Sequence, residues 1–535
     1  DQDLDEDTAA DVAHERSRCR LPPLPGPGWS GMIFGPEPPR SDLACGPVLS
    51  GLHSAFALYA AHAEPISNLY RKQRNSLQIS QFEEGDPGMN DPAHSTDLID
   101  RAALLVEAAR RAGADAADAV VMRSRSLGVS VRLGKVEDTE ASESDDFALR
   151  VFVGNRVASV SATAGSDAGA LAERAVAMAR VSPEDPFQGM PDRADLASDI
   201  RNLDLFDGTE IDAARLTQDA LAAEEAALAV SGVTNSGGSG ASAGMGGLVL
   251  VTSDGFAGAF ASTRFSRSVS AIAGTGTGME RDYDFSSRLH FADLEAPETI
   301  GRSAGERAVR RIGARKARTG TVTVVFDPRV ARGIAGHLAG AINGASIARR
   351  TSFLMDRMGE RILPAGMTVT DDPLKVRGPA SRPFDGEGIE GQKLMIVEDG
   401  TLRHWLLSTA VARELGLKTN GRGVRSGSIV NPGSTNFAIE PGEASPEDII
   451  RSIGTGFYVT EVFGQGVNLI TGQYSRGASG FWIENGELAY PVSEVTIASN
   501  LKDMFLAMTA ANDIDRNFGT AAPTLAIEGM TLAGS

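Results

Sequence analysis

Residues 321–348 read TVTVVFDPRVARGIAGHLAGAINGASIA. Thr321–Phe326 alternates β-branched and apolar residues and predicts a strand. Asp327-Pro328 then supplies a cap and a proline at the first turn, where its missing N–H costs no hydrogen bond, so a helix is expected over 329–348. A metal-binding helix in this place would carry two imidazoles for the ion and a carboxylate to activate its water. Here a single histidine, His337, stands among Gly336, Gly340, Ala341 and Gly344. One imidazole does not hold a catalytic ion.

Upstream, the pattern is α+β. Asp97 begins a helical repeat of Leu98, Ala102, Leu105, Ala109 and Ala112 that stops at Gly113. Candidate strands follow at 119–123, 128–136, 148–153 and 158–162, then an amphipathic helix over 168–180. Helix, strands and helix in that order read as one antiparallel sheet with helices on one face. Another helix is expected over 213–229. Asn235–Gly247, NSGGSGASAGMGG, reads as a flexible stretch between domains. Strands at 248–252, 257–265 and 269–273 come next.

Downstream of 348 the chain is strand-dense. A hairpin is expected around Asp399-Gly400, and strands at 457–462, 467–471 and 481–484, with Asn485-Gly486 turning into 488–490. A helix over 501–511 and a strand over 524–527 close the chain. The C-terminal part is therefore expected to be a strand-rich, barrel-like domain. The expected divisions are 1–88, an N-terminal α+β domain with bridging helices over 89–235, and the C-terminal domain over 236–535. Residues 1–88 hold both cysteines, Cys19 and Cys45, an acidic opening and many prolines without a sustained period. They read as a disordered extension, or as upstream sequence translated from a misplaced start.

A net charge of −19 argues against nucleic-acid binding, which needs clustered Lys and Arg to displace counterions. The basic segment Thr299–Arg318 is read as a solvated helix face paired with the acid excess, with a nucleic-acid or partner contact as the alternative. No apolar run reaches membrane-spanning length, and Val48–Ala63 follows a long acidic stretch unlike the short basic start of a secretion signal. Cysteine usage fits a reducing cytoplasm. GTGTG at 274–278 opens no helix and so lacks the setting of a phosphate loop. His290 and His404 stand alone in strand-like sequence. Asp371-Asp372 before Pro373 reads as a turn, with an acid pair as the alternative. Asn420–Asn436, NGRGVRSGSIVNPGSTN, reads as a long donor-rich loop, either structural or able to hold an extended peptide.

Several of these stretches carry a family likeness. ALRVFVGNRVASVS at 148–161, ARRTSFLMDRMGERI at 348–362, the 420–442 segment and GFYVTEVFGQGVNLITGQYSRGASGFWIENGELAYPV at 456–492 resemble the TldD/PmbA family, also called modulators of DNA gyrase, and within it the PmbA (TldE) branch. The resemblance extends over nearly all of 97–535. TldD-type chains carry H-E-x-x-x-H on the corresponding helix, a later cysteine, and a metal ion. Counting back from Arg349-Arg350-Thr351, the motif positions fall on Gly336, His337 and Ala341, and Asp515–Pro523 has no cysteine. The resemblance thus implies a subunit without catalytic or metal-binding residues of its own. Its implied partner is a TldD-type chain holding zinc or a similar divalent ion, the two forming a cytoplasmic heterodimeric metalloprotease for unfolded or small peptides. The resemblance leaves a homodimer in isolation open. The alternative is a non-enzymatic regulatory protein of the gyrase-modulator kind. His337, Arg349, Arg350, Asn420, Arg422, Asn431 and Asn436 are the expected peptide- or partner-facing residues.

Overall fold

The computed structural model describes residues 96–163, 166–427 and 429–534. The reading of 1–88 lies outside them. The described chain is α+β, as expected.

Six strands form an antiparallel sheet: β1 (Ala116–Arg132), β2 (Lys135–Val153), β3 (Arg156–Thr163), β4 (Val233–Thr252), β5 (Ala257–Ala273) and β6 (Glu280–Arg288), in the order β3-β2-β1-β4-β5-β6. Side chains alternate across it. One face, with Val121, Val129, Val251 and Val269, packs on four helices: α1 (Thr96–Arg111), α2 (Ala168–Val181), α3 (Ala213–Leu228) and α4 (Pro297–Arg310). On the opposite face Val120, Leu250 and Phe256 pack against Phe384 of the C-terminal half.

Three sequence readings of this sheet change. The strand expected over 128–136 crosses a hairpin turn, because Leu133 and Gly134 both have positive φ (50° and 74°), the two-residue geometry that suits antiparallel twist. The acidic run after it is strand. The stretch read as flexible, 235–247, is the middle of β4, hydrogen-bonded to β1 on one side and β5 on the other. Backbone pairing on both edges holds it despite its small side chains, and Ala241 buries against Leu216 and Ala220 of α3. The division placed at 235/236 therefore falls inside a continuous strand. Finally, the basic helix stops at Arg310 rather than Arg318, the chain turning at Gly313 with φ 80°.

The C-terminal half contains a closed five-stranded barrel. β7 (Gly320–Phe326), β14 (Thr455–Phe463), β15 (Gln473–Glu484), β16 (Glu487–Asn500) and β19 (Leu525–Ala533) pair in a ring, with β17 (Met508–Ala510) added outside β19. Beside it lies a sheet of β8 (Val369–Asp372), β9 (Leu394–Glu398), β10 (Thr401–Leu402), β13 (Asn436–Ile439) and β18 (Thr520–Ala521). One large core joins both, built on Phe326, Phe437, Phe457, Phe505 and Ile527.

The 420–436 segment is not an irregular loop: it contains the hairpin of β11 (Gly423–Ser426) and β12 (Ile429–Pro432). The helix expected over 329–348 is two helices, α5 (Pro328–Ala341) and α6 (Gly344–Ala348). The break is paid for by Asn343, whose side chain accepts from Ala345 N, while Gly344 N donates to Leu406 O at 2.9 Å. Val467–Thr471 is a turn rather than a strand. Of the last expected helix, only α9 (Leu501–Leu506) forms. Short helices α7 (Thr409–Glu414) and α8 (Pro446–Ser452) complete the half.

Candidate functional site

Helix α5 is anchored at its start. The Asp327 carboxylate accepts from Arg329 N at 2.9 Å and from the Tyr458 hydroxyl at 2.9 Å, tying the helix to β14. Arg329 donates to Asp282 of β6 at 3.0 Å, and Arg311 reaches Asp282 and Glu461. Burial opposes the charge of Arg329, but Asp327 and Asp282 outweigh it and hold the guanidinium protonated. Burial, reinforced by Asp327, keeps the Tyr458 hydroxyl protonated.

The apolar residues Val330, Ala331, Ile334, Ala335 and Leu338 turn into the core. That leaves Arg332, Gly333, Gly336, His337 and Gly340 along the other side, with Gly333 and Gly336 exposed and the rest half-buried. A Cβ built on Gly333 or Gly336 meets nothing within 4 Å. His337 sits edge-on to Tyr474 of β15, ring centroids 6.0 Å apart. Burial, with the nearby charge of Arg476, lowers its pKa, so the imidazole is neutral at pH 7. Burial pushes the Tyr474 hydroxyl up to about 12. On the opposite flank the Arg332 guanidinium lies 4.3 Å from the Phe518 ring and 5.6 Å from Phe285, with Nε donating to Arg329 O at 3.0 Å.

These residues do not fit a divalent cation. Gly336 offers no donor, Ala341 lies fully in the core, and His337 is a single imidazole. Among the described residues no three His, Cys, Asp or Glu converge on one point.

Of the residues expected to face a peptide or partner, His337 is half-buried beside the exposed Gly336. Arg349 and Arg350 are exposed just past α6, Arg350 lying 4.0 Å from Asp356. Asn431 is exposed on the β11–β12 hairpin. The other three turn inward: Asn436 opens β13 of the smaller sheet, and Asn420 and Arg422 lie just before β11. Asn420 bridges Leu407 N and Trp405 O. Asn436 bonds Asp372 O, Ser381 Oγ and Ala380 N. Arg422 is fully buried and pairs with Asp371, which also accepts from Thr435. Asp371 is thus within β8 and half of an ion pair, while Asp372 ends the strand and leads into a turn, its carboxylate accepting from Leu374 N.

A second charged cluster joins the two halves. Asp118 of β1 accepts from Arg150 of β2 and from Arg425 of β11 at 2.9 Å. Close by, burial and the like charge of Glu387 push Asp385 up to about 6. Arg332, Arg476 and Phe518 were not legible as site residues. A lone arginine on a helix carries no sign that the acids near it are already paired with other arginines.

Comparison with known proteins gives one consistent result. Sequence patterns of the PmbA/TldA metallopeptidase family match in three blocks: domain 1 at 117–179, the central domain at 206–312 and the C-terminal domain at 319–534. Metalloprotease PmbA of Escherichia coli O157:H7 is 39% identical over 425 residues, 78% of this chain and 92% of that one. The crystal structure of a protein described as a modulator of DNA gyrase, from Bacteroides thetaiotaomicron, superposes with a TM-score of 0.76 at 26% identity, over 82% of this chain and all (100%) of that one. TldE of Thermococcus kodakarensis shares the fold, with a TM-score of 0.71 at 21% identity over 80% and 99% of the two chains.

Proposed function

The chain belongs to the PmbA/TldA metallopeptidase family, and on that premise we propose that it is the PmbA (TldE)-type subunit of a heterodimeric metallopeptidase acting on unfolded or small peptides. The divalent ion, zinc or a similar metal, belongs to a TldD-type partner chain, and the pair works in the cytoplasm. No helix among the described residues is long and apolar enough to cross a membrane.

The observation that carries this reading is the helix α5. At the places where the partner's motif would supply ligands, this chain has an exposed glycine, one half-buried neutral imidazole and an alanine sealed in the core. A metal-activated water needs at least three protein donors around its ion. The same glycines leave open surface on α5, room for a peptide in a chamber shared by two chains.

The purified chain alone is expected to hold well below one metal ion per molecule and to leave unstructured peptides uncut, and to gain activity when mixed with the TldD-type chain. Stoichiometric zinc together with peptidase activity in the isolated chain would overturn the proposal. Persistence as a lone species in pull-downs from the native host would favour the non-enzymatic regulatory alternative.

A further inference from the structure

We propose that the open face of α5 is a carboxylate subsite, in which Arg332 receives an acidic group of an extended peptide lying across Gly333 and Gly336 toward His337. This rests on the peptide-binding reading above and adds the charge that the site selects.

The first ground is the state of Arg332. Its guanidinium lies over the rings of Phe518 and Phe285, and its Nε is tied back to Arg329 O. These contacts restrain the guanidinium, and among the described residues no hydrogen bond or ion pair engages its two terminal nitrogens. A planar, oriented guanidinium edge is the donor pair that matches the two oxygens of a carboxylate. The second ground is charge. The chain carries 70 acidic residues against 51 basic ones, yet no ion pair among the described residues engages Arg332 or Arg476. The acids around the helix start are already taken: Asp327 and Asp282 by Arg329, Glu461 by Arg311. An electropositive strip within a strongly acidic chain is complementary to an anion from outside.

The third ground is shape. At 100° per residue, Arg332 and His337 lie roughly 140° apart around the helix, with Gly333 and Gly336 between them. Glycine in a helix interior costs stability relative to alanine, and neither of these two is required by a contact within the chain. Close approach of another backbone is a reason to keep them bare. His337, neutral and with a donor and an acceptor nitrogen, can bond the amides of a chain that arrives there.

The carboxylate has two sources, the free C-terminus of a peptide or an Asp or Glu side chain, and three probes separate them. An unstructured, N-terminally labelled decapeptide without Asp or Glu is made with a free C-terminus, as its C-terminal amide, and as the amide with one internal Glu. Binding to the full chain, alone and with its metallopeptidase partner, is read by fluorescence anisotropy. The free acid is expected to bind about tenfold more tightly than the plain amide. If the Glu-bearing amide recovers that gain, the side chain is an accepted source; if it does not, the chain end is the source, and either result supports the subsite. Arg332→Gln should erase the preference, and Arg332→Lys, which keeps the charge, should retain part of it. Gly336→Leu fills the open face without a clash at Cβ, and should weaken every peptide without lowering the thermal melt. Equal binding of charged and uncharged peptides, or a preference that survives Arg332→Gln, overturns the subsite while sparing the peptide-binding reading. Failure of all three peptides to bind in either state removes both.

Discussion

Arg422 and Asp371 meet at 2.5 Å with neither side chain exposed to solvent. The guanidinium also donates to the carbonyls of Asn420, Gln392 and Asp371, and the carboxylate accepts from Thr435 N and Oγ1. A buried pair so fully bonded is costly to halve, since the survivor keeps its charge without its counterion. Asp371→Ala is therefore expected to destabilise the chain by about 3–5 kcal/mol, measured by urea denaturation. A loss below about 1 kcal/mol, the range of an exposed pair, would mean that Arg422 is solvated instead.

His337 offers a pH-dependent signature. Its pKa lies below the ordinary 6.5, first through burial and then through Arg476. The unfolded chain binds this proton more readily than the folded one. The histidine's contribution to stability is therefore complete above pH 6.5 and is lost as pH falls through the lowered value. A histidine-resolved NMR titration should place the midpoint below 6.5, and Arg476→Gln should move it upward part of the way, since burial remains. A midpoint above 6.5 would contradict the burial argument, and no movement in the variant would remove Arg476 from it.

Much of this architecture was readable from periodicity alone, for identifiable reasons. Strand β7, the Asp327-Pro328 start and the Asn485-Gly486 turn all carry local signals that tertiary structure had no cause to override. Where reading failed, the deciding interaction was distant in sequence. β4 looks like a linker because its residues are small, and only its pairing with β1 and β5 makes it a strand. The break between α5 and α6 depends on Leu406, more than 60 residues away, whose backbone takes Ile342 and Gly344 out of helical register. The candidate site divides in the same way. His337 could be singled out by residue type, whereas Arg332 acquires meaning only when the acids at the helix start are seen to be engaged by other arginines.

The acidic pair Asp385 and Glu387 should control stability on the acid side. Burial and then Glu387 push Asp385 up to about 6 from an ordinary 3.8. Its stabilising contribution is thus complete below 3.8 and is lost as pH rises through about 6. Glu387→Gln removes the like charge while its side-chain oxygen can still accept from Thr409 N, as Glu387 does at 2.8 Å. Folding free energies at about pH 4 and pH 7 should then differ less in the variant than in the parent chain. An unchanged difference would show that Glu387 does not set the Asp385 titration.

Two glycines of one sequence motif should respond in opposite directions to the same substitution. Gly336 lies on the open face of α5, where a Cβ meets nothing within 4 Å. Alanine there adds helix propensity, so Gly336→Ala is expected to stabilise by up to about 1 kcal/mol. Gly344 begins α6 beneath the 406–411 segment, and a Cβ there would lie 2.6 Å from Leu406 O and 2.7 Å from Leu407 Cδ2. One of those neighbours is backbone, already bonded to Gly344 N, so it does not yield without loosening the bridge that breaks the helix. Gly344→Ala should destabilise by roughly 1–3 kcal/mol, in the range of an overpacked core. Urea midpoints of the two variants against the parent chain test this directly. If Gly344→Ala is neutral, the 329–348 segment does not break at Asn343. If Gly336→Ala destabilises, that face of α5 is covered within the chain.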